Sequence, residues 1–187
     1  RPGCRPVVMT VSLELLSRGP SRPDLLEDLV ADESGLAATL ARWAVPAPAA
    51  VAPDPETGLP GSEVVAVVLA RGAAAVVDVA PGLAGAGPAV DHLVDLLAVA
   101  AHSGVGFGSG LVPRCADAGQ VWALLAGAVA AMTGGDVRAA LAAPDPDALL
   151  ALPRAAREAI RDVVTCVIVP SRDVDEVSAD LASAHLP

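Results

Sequence analysis

The chain has 187 residues and a formal charge of −10 at pH 7, from 22 acidic and 12 basic side chains. That balance argues against a phosphate backbone as partner, because non-specific nucleic-acid affinity comes from Lys and Arg, and equally against an anionic membrane surface. The length fits one domain, or one domain with a small appendage.

The hydrophobic fraction of 53% comes mostly from Ala, Val and Leu, with one Phe (Phe107), two Trp (Trp43 and Trp122) and no Tyr. Every basic residue is Arg, and Lys and Asn are absent. Residues with AT-rich codons are scarce together, as expected of a high-GC bacterial genome. Cys4, Cys115 and Cys166 show no C-x-x-C spacing, which fits a reducing, cytoplasmic compartment. The opening RPGCRPVVMT carries no signal-peptide apolar region. Leu96–Pro113 and Ala118–Gly135 lack Asp, Glu, Lys and Arg, but glycines interrupt both before the roughly 20 continuous apolar residues that a membrane span needs.

In chain order, Val7–Leu15 alternates apolar and polar residues as a half-buried strand does. Ser21–Trp43 reads as helical: Ser21 caps, Pro23 sits just inside, and Leu25, Leu26, Leu29 and Val30 form a stripe. Gly35 then divides off a second helix with Leu36, Leu40 and Trp43. The same stretch also has helix-turn-helix spacing, yet its acidic residues would repel DNA. Residues 44–61, with five prolines, form an extended connector. The runs EVVAVVLA (63–70) and AAAVVDVA (73–80) read as a Val-rich hairpin turning at Arg71-Gly72. Asp78 interrupts the second run, either as a plain strand-end carboxylate or as a site residue at the end of a central strand.

Pro88–His102 is a helix with Val90, Leu93, Val94, Leu97 and Ala101 inward. Ser103–Pro113 is glycine-rich, and Asp117 caps a helix over Ala118–Met132 that ends at Gly134-Gly135. Short helical pieces follow, including Arg154–Asp162. Val163–Val169 has the β-branched content of a strand, although no breaker separates it from the helix before it. A helix over Arg172–His185 closes the chain. The pattern predicts an α/β or α+β fold, with a small mixed sheet of about three to four strands covered by helices. Residues 1–43 pack on a main domain of residues 62–187.

Three groups of residues carry candidate chemistry. Asp91, Asp95 and His102 share one helix stripe. Asp91 and Asp95 are candidate metal ligands, while His102 is too far along the helix to join them on one ion. Gly104, Gly106, Gly108 and Gly110 form a loop whose backbone amides could bind a ligand, although G-x-G-x-G-x-G matches no known phosphate loop. Cys115 stands beside Arg114 near a helix start, with His102 as a candidate base and Asp95 in support. His92 and His185 lie on helix exteriors.

Gly119, Ala123, Gly127 and Ala131 recur every four residues, which lets two helix backbones approach closely. The leading expectation is a non-enzymatic regulatory or assembly domain, self-associating through that face, with a second copy or another protein as partner. The alternative is a small hydrolase or small-molecule-binding enzyme using the Gly104–Gly110 loop with His102, Asp95 and Cys115. An acidic helix-turn-helix regulator ranks third. No cofactor is evident, and no nucleic-acid or membrane partner is expected.

Overall fold

The computed structural model describes residues 23–84, 87–103 and 107–184. The strand expected at Val7–Leu15, together with Cys4, Ser21, Gly104, Gly106 and His185, lies outside them. Among the described residues, five short strands form one sheet: β1 (Val30–Ala31), β2 (Ala49–Ala50), β3 (Ala75–Asp78), β4 (Leu111–Arg114) and β5 (Val167–Ile168). Their order across the sheet is β1-β5-β4-β3-β2, and every pairing is parallel. The α/β class expected from the sequence therefore holds, and among the described residues the sheet is parallel throughout, where a mixed one was expected.

A parallel neighbour cannot be reached by a tight turn, so a helix must cross between strands. This corrects the Val-rich hairpin. Its first half is helix α2 (Ser62–Ala70), and only its second half is a strand, β3. Valine costs a helix only a few tenths of a kcal/mol (about 0.5) against alanine, and packing outweighs that. Val65 and Leu69, four residues apart, are fully buried on the face that meets the sheet. Gly72, at φ +75°, turns the chain after the helix. The connector over 44–61 also departs from expectation, since its Ala49–Ala50 supplies edge strand β2.

Side chains alternate between the two faces of the sheet, as the strand period requires. Ala75, Val77, Leu111, Val167 and Val169 enter the larger core cluster. Ala74, Val76, Val112, Cys166 and Ile168 enter a smaller one on the opposite face. The larger cluster is completed by α2, α4 (Pro88–His102), α5 (Ala118–Thr133), α8 (Arg154–Val163) and α9 (Val174–Ser183). The short α3 (Ala80–Leu83), α6 (Val137–Ala142) and α7 (Pro146–Leu150) link these helices. The smaller cluster is covered by α1 (Leu36–Arg42), through Leu36 and Leu40, with Trp43 and Phe107 beside it.

The helix expected to begin near Ser21 is absent from the described residues 23–35. Residues 25–28 turn, and β1 follows. Two interactions from distant sequence explain this. The buried Arg161 guanidinium donates through Nη1 to the carbonyls of Asp24 (3.1 Å), Leu25 (3.2 Å) and Glu27 (2.8 Å), and through Nη2 to Thr165 (2.6 Å). Those carbonyls thereby face Arg161 instead of forming a helical ladder, that of Asp24 also accepting the Glu27 amide within the turn (3.2 Å). Asp28 adopts φ +50°, and its carboxylate accepts from Arg42 (2.6 Å) and the Trp43 indole (3.2 Å).

Elsewhere local signals hold. α4 has the expected bounds, Pro88 to His102. Asp117 accepts from the Gln120 amide (2.8 Å) to cap α5, and Gly134 ends it at φ +71°. The Val163–Val169 run contains the end of α8 and then β5, in agreement with the β-branched signal. No described helix is long and apolar enough to cross a membrane.

Candidate functional site

The topology selects one edge of the sheet. From β2 through β3 and β4 to β5, each step moves to the next strand with its helix on the same face. β1 instead sends the chain over the opposite face through α1 and across the whole sheet to β2. The connections leaving the adjacent strands β1 and β5 therefore depart to opposite sides. Loops that part in this way leave a crevice beyond the carboxyl ends of the strands, the usual ligand position in open parallel sheets.

A cavity of about 310 Å³ lies at that position. Four strand ends build it. Glu33 follows β1, and Asp78 ends β3. Arg114 ends β4, with Cys115 and Ala116 after it. Ile168, Val169 and Pro170 come from β5 and its continuation. Beneath its charged rim, the cavity surface is mostly apolar: Ala80, Ala116 and Pro170 reach solvent there, over the buried Ile168 and Val169. Arg114 Nη2 donates to Glu33 Oε1 at 2.5 Å, with both side chains substantially exposed. Asp78 accepts the Ala80 amide on Oδ1 (3.1 Å) and has no ion-pair partner among the described residues.

A larger cavity of about 500 Å³ opens between α3, α5 and α6, lined in part by Leu83, Val90, Ala123, Leu141 and Pro144. Its polar side chains are already engaged within the chain. Arg138 pairs with Asp91, Asp117 caps α5, and Gln120 Oε1 accepts from the Ala116 amide. The strand-end crevice, with a carboxylate left over, offers more for recognition.

The structure separates the residues that the sequence grouped. His102, at the end of α4, precedes β4, while Cys115 follows it. The whole strand, about 13 Å at 3.3 Å per residue, lies between them. His102 Nδ1 instead contacts the Ala98 carbonyl at 2.8 Å, and Asp95 is exposed on the same helix. His92 Nε2 meets the Pro60 carbonyl at 2.7 Å. Asp91 is held by Arg138, and no cluster of three His, Cys, Asp or Glu side chains suited to one ion occurs among the described residues.

The two described glycines of the loop have packing reasons. Gly108 sits at φ +94° against Val45, and Gly110 lies against the backbone of Asp162 and Val163. Ala123, Gly127 and Ala131 are buried within their own chain, Gly127 against Leu97 and Leu141, whereas Gly119 is exposed.

Cys115 is buried, and that burial, reinforced by the charges of Asp117 and Asp78, pushes its thiol far above the usual range. Burial therefore disfavours the thiolate that a nucleophile needs. Burial likewise pushes Cys166 from 9.0 to about 11. A raised thiol pKa stabilises the fold fully below the unfolded value and loses that contribution as pH rises towards the folded one. Arg161, pulled down by burial to about 10, acts in the opposite sense above that pH. Between about pH 9 and 10, urea-unfolding stability is expected to fall by about 2 kcal/mol, and C115A/C166A is expected to flatten the slope.

The strand-end signal was present in the sequence: Asp32-Glu33, Asp78 and Arg114 are each the first charges after a short apolar run. Only the sheet order brings them together. No protein-family model, no curated protein and no solved structure matches the chain, so its own geometry is the guide to function.

Proposed function

We propose that this chain is a small-molecule-binding α/β domain whose site is the crevice at the carboxyl ends of β1, β3, β4 and β5. The observation that carries this reading is the coincidence of that cavity with the place where the β1 and β5 connections part. Its apolar lining, Ala116 and Pro170 over the buried Ile168 and Val169, suits the body of a small molecule. The Arg114–Glu33 pair and Asp78 suit a polar end. The small-residue face of α5, the basis for expecting self-association, is for the most part covered by α4 and α6 of the same chain, which favours the crevice over that face.

The test uses N-phenyl-1-naphthylamine, an uncharged apolar fluorophore. Its emission is expected to rise on binding with one site per chain. Ala116→Trp, which places a large ring in the crevice from an exposed position, is expected to reduce binding at least tenfold. Ala142→Trp, which fills the larger helical cavity, is expected to leave binding unchanged. Loss of binding in A142W with full binding in A116W would move the site away from the strand ends.

A further inference from the structure

The crevice holds two carboxylates, Glu33 and Asp78, and one guanidinium, Arg114. Arg114 lies beside Asp78 in the sheet register, yet its side chain turns to Glu33. Whichever carboxylate it pairs with, one is left over. In the structure that one is Asp78, whose Oδ1 accepts the Ala80 amide and whose Oδ2 has no partner among the described residues. The surrounding field adds to this. The Asp78 and Asp117 charges both act on the Cys115 thiol in the crevice wall, in the direction that disfavours a second negative charge there. The whole chain, at −10, attracts cations and repels anions.

Resting on the crevice as the binding site, we infer that its ligand is an apolar amine: an aliphatic or aromatic body on Ala116 and Pro170, over the buried Ile168 and Val169, with an ammonium group on the Asp78 carboxylate. Asp78 lines the same cavity from β3, two strands or about 10 Å across the sheet from β5, so a ligand about six carbons long spans the two. An ammonium satisfies the leftover charge. A hydroxyl satisfies only its hydrogen-bonding capacity. A carboxylate has to displace Glu33 from Arg114 and then meets Asp78 as a like charge.

Three molecules of one length separate these cases: n-hexylamine, 1-hexanol and hexanoate. Each is titrated into the chain at neutral pH and low salt, following the backbone amides of Ala116 and Val169 by NMR. The amine is expected to bind about three- to tenfold more tightly than the alcohol, the range for a partly exposed ion pair, with hexanoate weakest. Added salt is expected to narrow the gap between amine and alcohol.

Asp78→Asn keeps an oxygen for the Ala80 amide and removes the charge. It is expected to bring the amine's affinity down to the alcohol's while leaving the alcohol's unchanged. Hexanoate binding as tightly as hexylamine overturns the inference, and so does an amine preference that survives D78N. In either event the crevice stands if Ala116→Trp still removes alcohol binding. If no member of the series shifts those amides, or if A116W leaves alcohol binding intact, the crevice itself is not the site and the amine inference falls with it.

Discussion

Arg161→Met is expected to lower unfolding free energy by about 2–4 kcal/mol, measured by urea denaturation. The side chain is fully buried and donates to four carbonyls, those of Asp24, Leu25, Glu27 and Thr165. Methionine restores much of the volume and relieves the burial of a charge, which alone would be neutral or favourable. It supplies no donor, however, and the buried Leu25 and Thr165 carbonyls would each lose a partner at a cost of about 1–3 kcal/mol, while that of Asp24 keeps the Glu27 amide. With four acceptors converging on one group, the lost hydrogen bonds outweigh the relieved desolvation. The effect is also local. Amides of the turn at residues 24–29 are expected to lose hydrogen-exchange protection well before those of α5. Because that turn sets up β1, and β1 carries the chain to Glu33, R161M is also expected to loosen the crevice. A variant as stable as the parent would show that the guanidinium is dispensable for holding this segment.

Gly110→Ala is the second change with a large effect. A Cβ at this position would run into the Asp162 carbonyl oxygen and would lie 2.7 Å from that of Val163 and 2.8 Å from Thr165 Oγ1. Two of these are backbone atoms and cannot swing aside. The strand would have to move away from the end of α8, straining the Leu111–Val164 bridge and the hydrogen bond from the Ala75 amide to the Gly110 carbonyl (3.0 Å). A cost of about 3 kcal/mol or more is expected, at the upper end for overpacking. Gly135→Ala is the control, since its added methyl would meet Ala130 only at 3.5 Å and beyond. Thermal unfolding is expected to place G135A near the parent and G110A far below it. Equal midpoints for the two variants would show that the approach at Gly110 is looser than the structure has it.

Elements bounded by their own local chemistry were legible in the sequence. α4 opens on Pro88, and α5 opens on the Asp117 cap and closes at Gly134, so periodicity and capping agreed at every position that mattered. α2 was misread because Val64, Val65, Val67 and Val68 carry a strand's composition. Its helical state comes from the parallel neighbours β2 and β3, which only a crossover can connect. The turn at residues 24–29 was misread for a similar reason, because the group that claims its carbonyls, Arg161, lies more than 130 residues away.

The candidate site divides along the same line. Asp78 stood out as the one charge in an apolar run, and the structure places it in the crevice. Glu33, Ile168 and Val169 carried no such mark, because their proximity to Asp78 exists only in the strand order β1-β5-β4-β3. The grouping of His102 with Cys115 followed their closeness in sequence, but the strand between them runs the full depth of the sheet.

The most direct test of the central claim is an amide chemical-shift map of the chain titrated with 1-hexanol, an uncharged probe whose attraction does not depend on the charge of Arg114 or Asp78. A strand-end site requires the largest saturable shifts at Glu33, Asp78, Cys115, Ala116 and Val169, residues distant in sequence that meet at one edge of the sheet. Shifts centred instead on Leu83, Ala123, Leu141 and Ala142 would place binding in the helical cavity and contradict the claim.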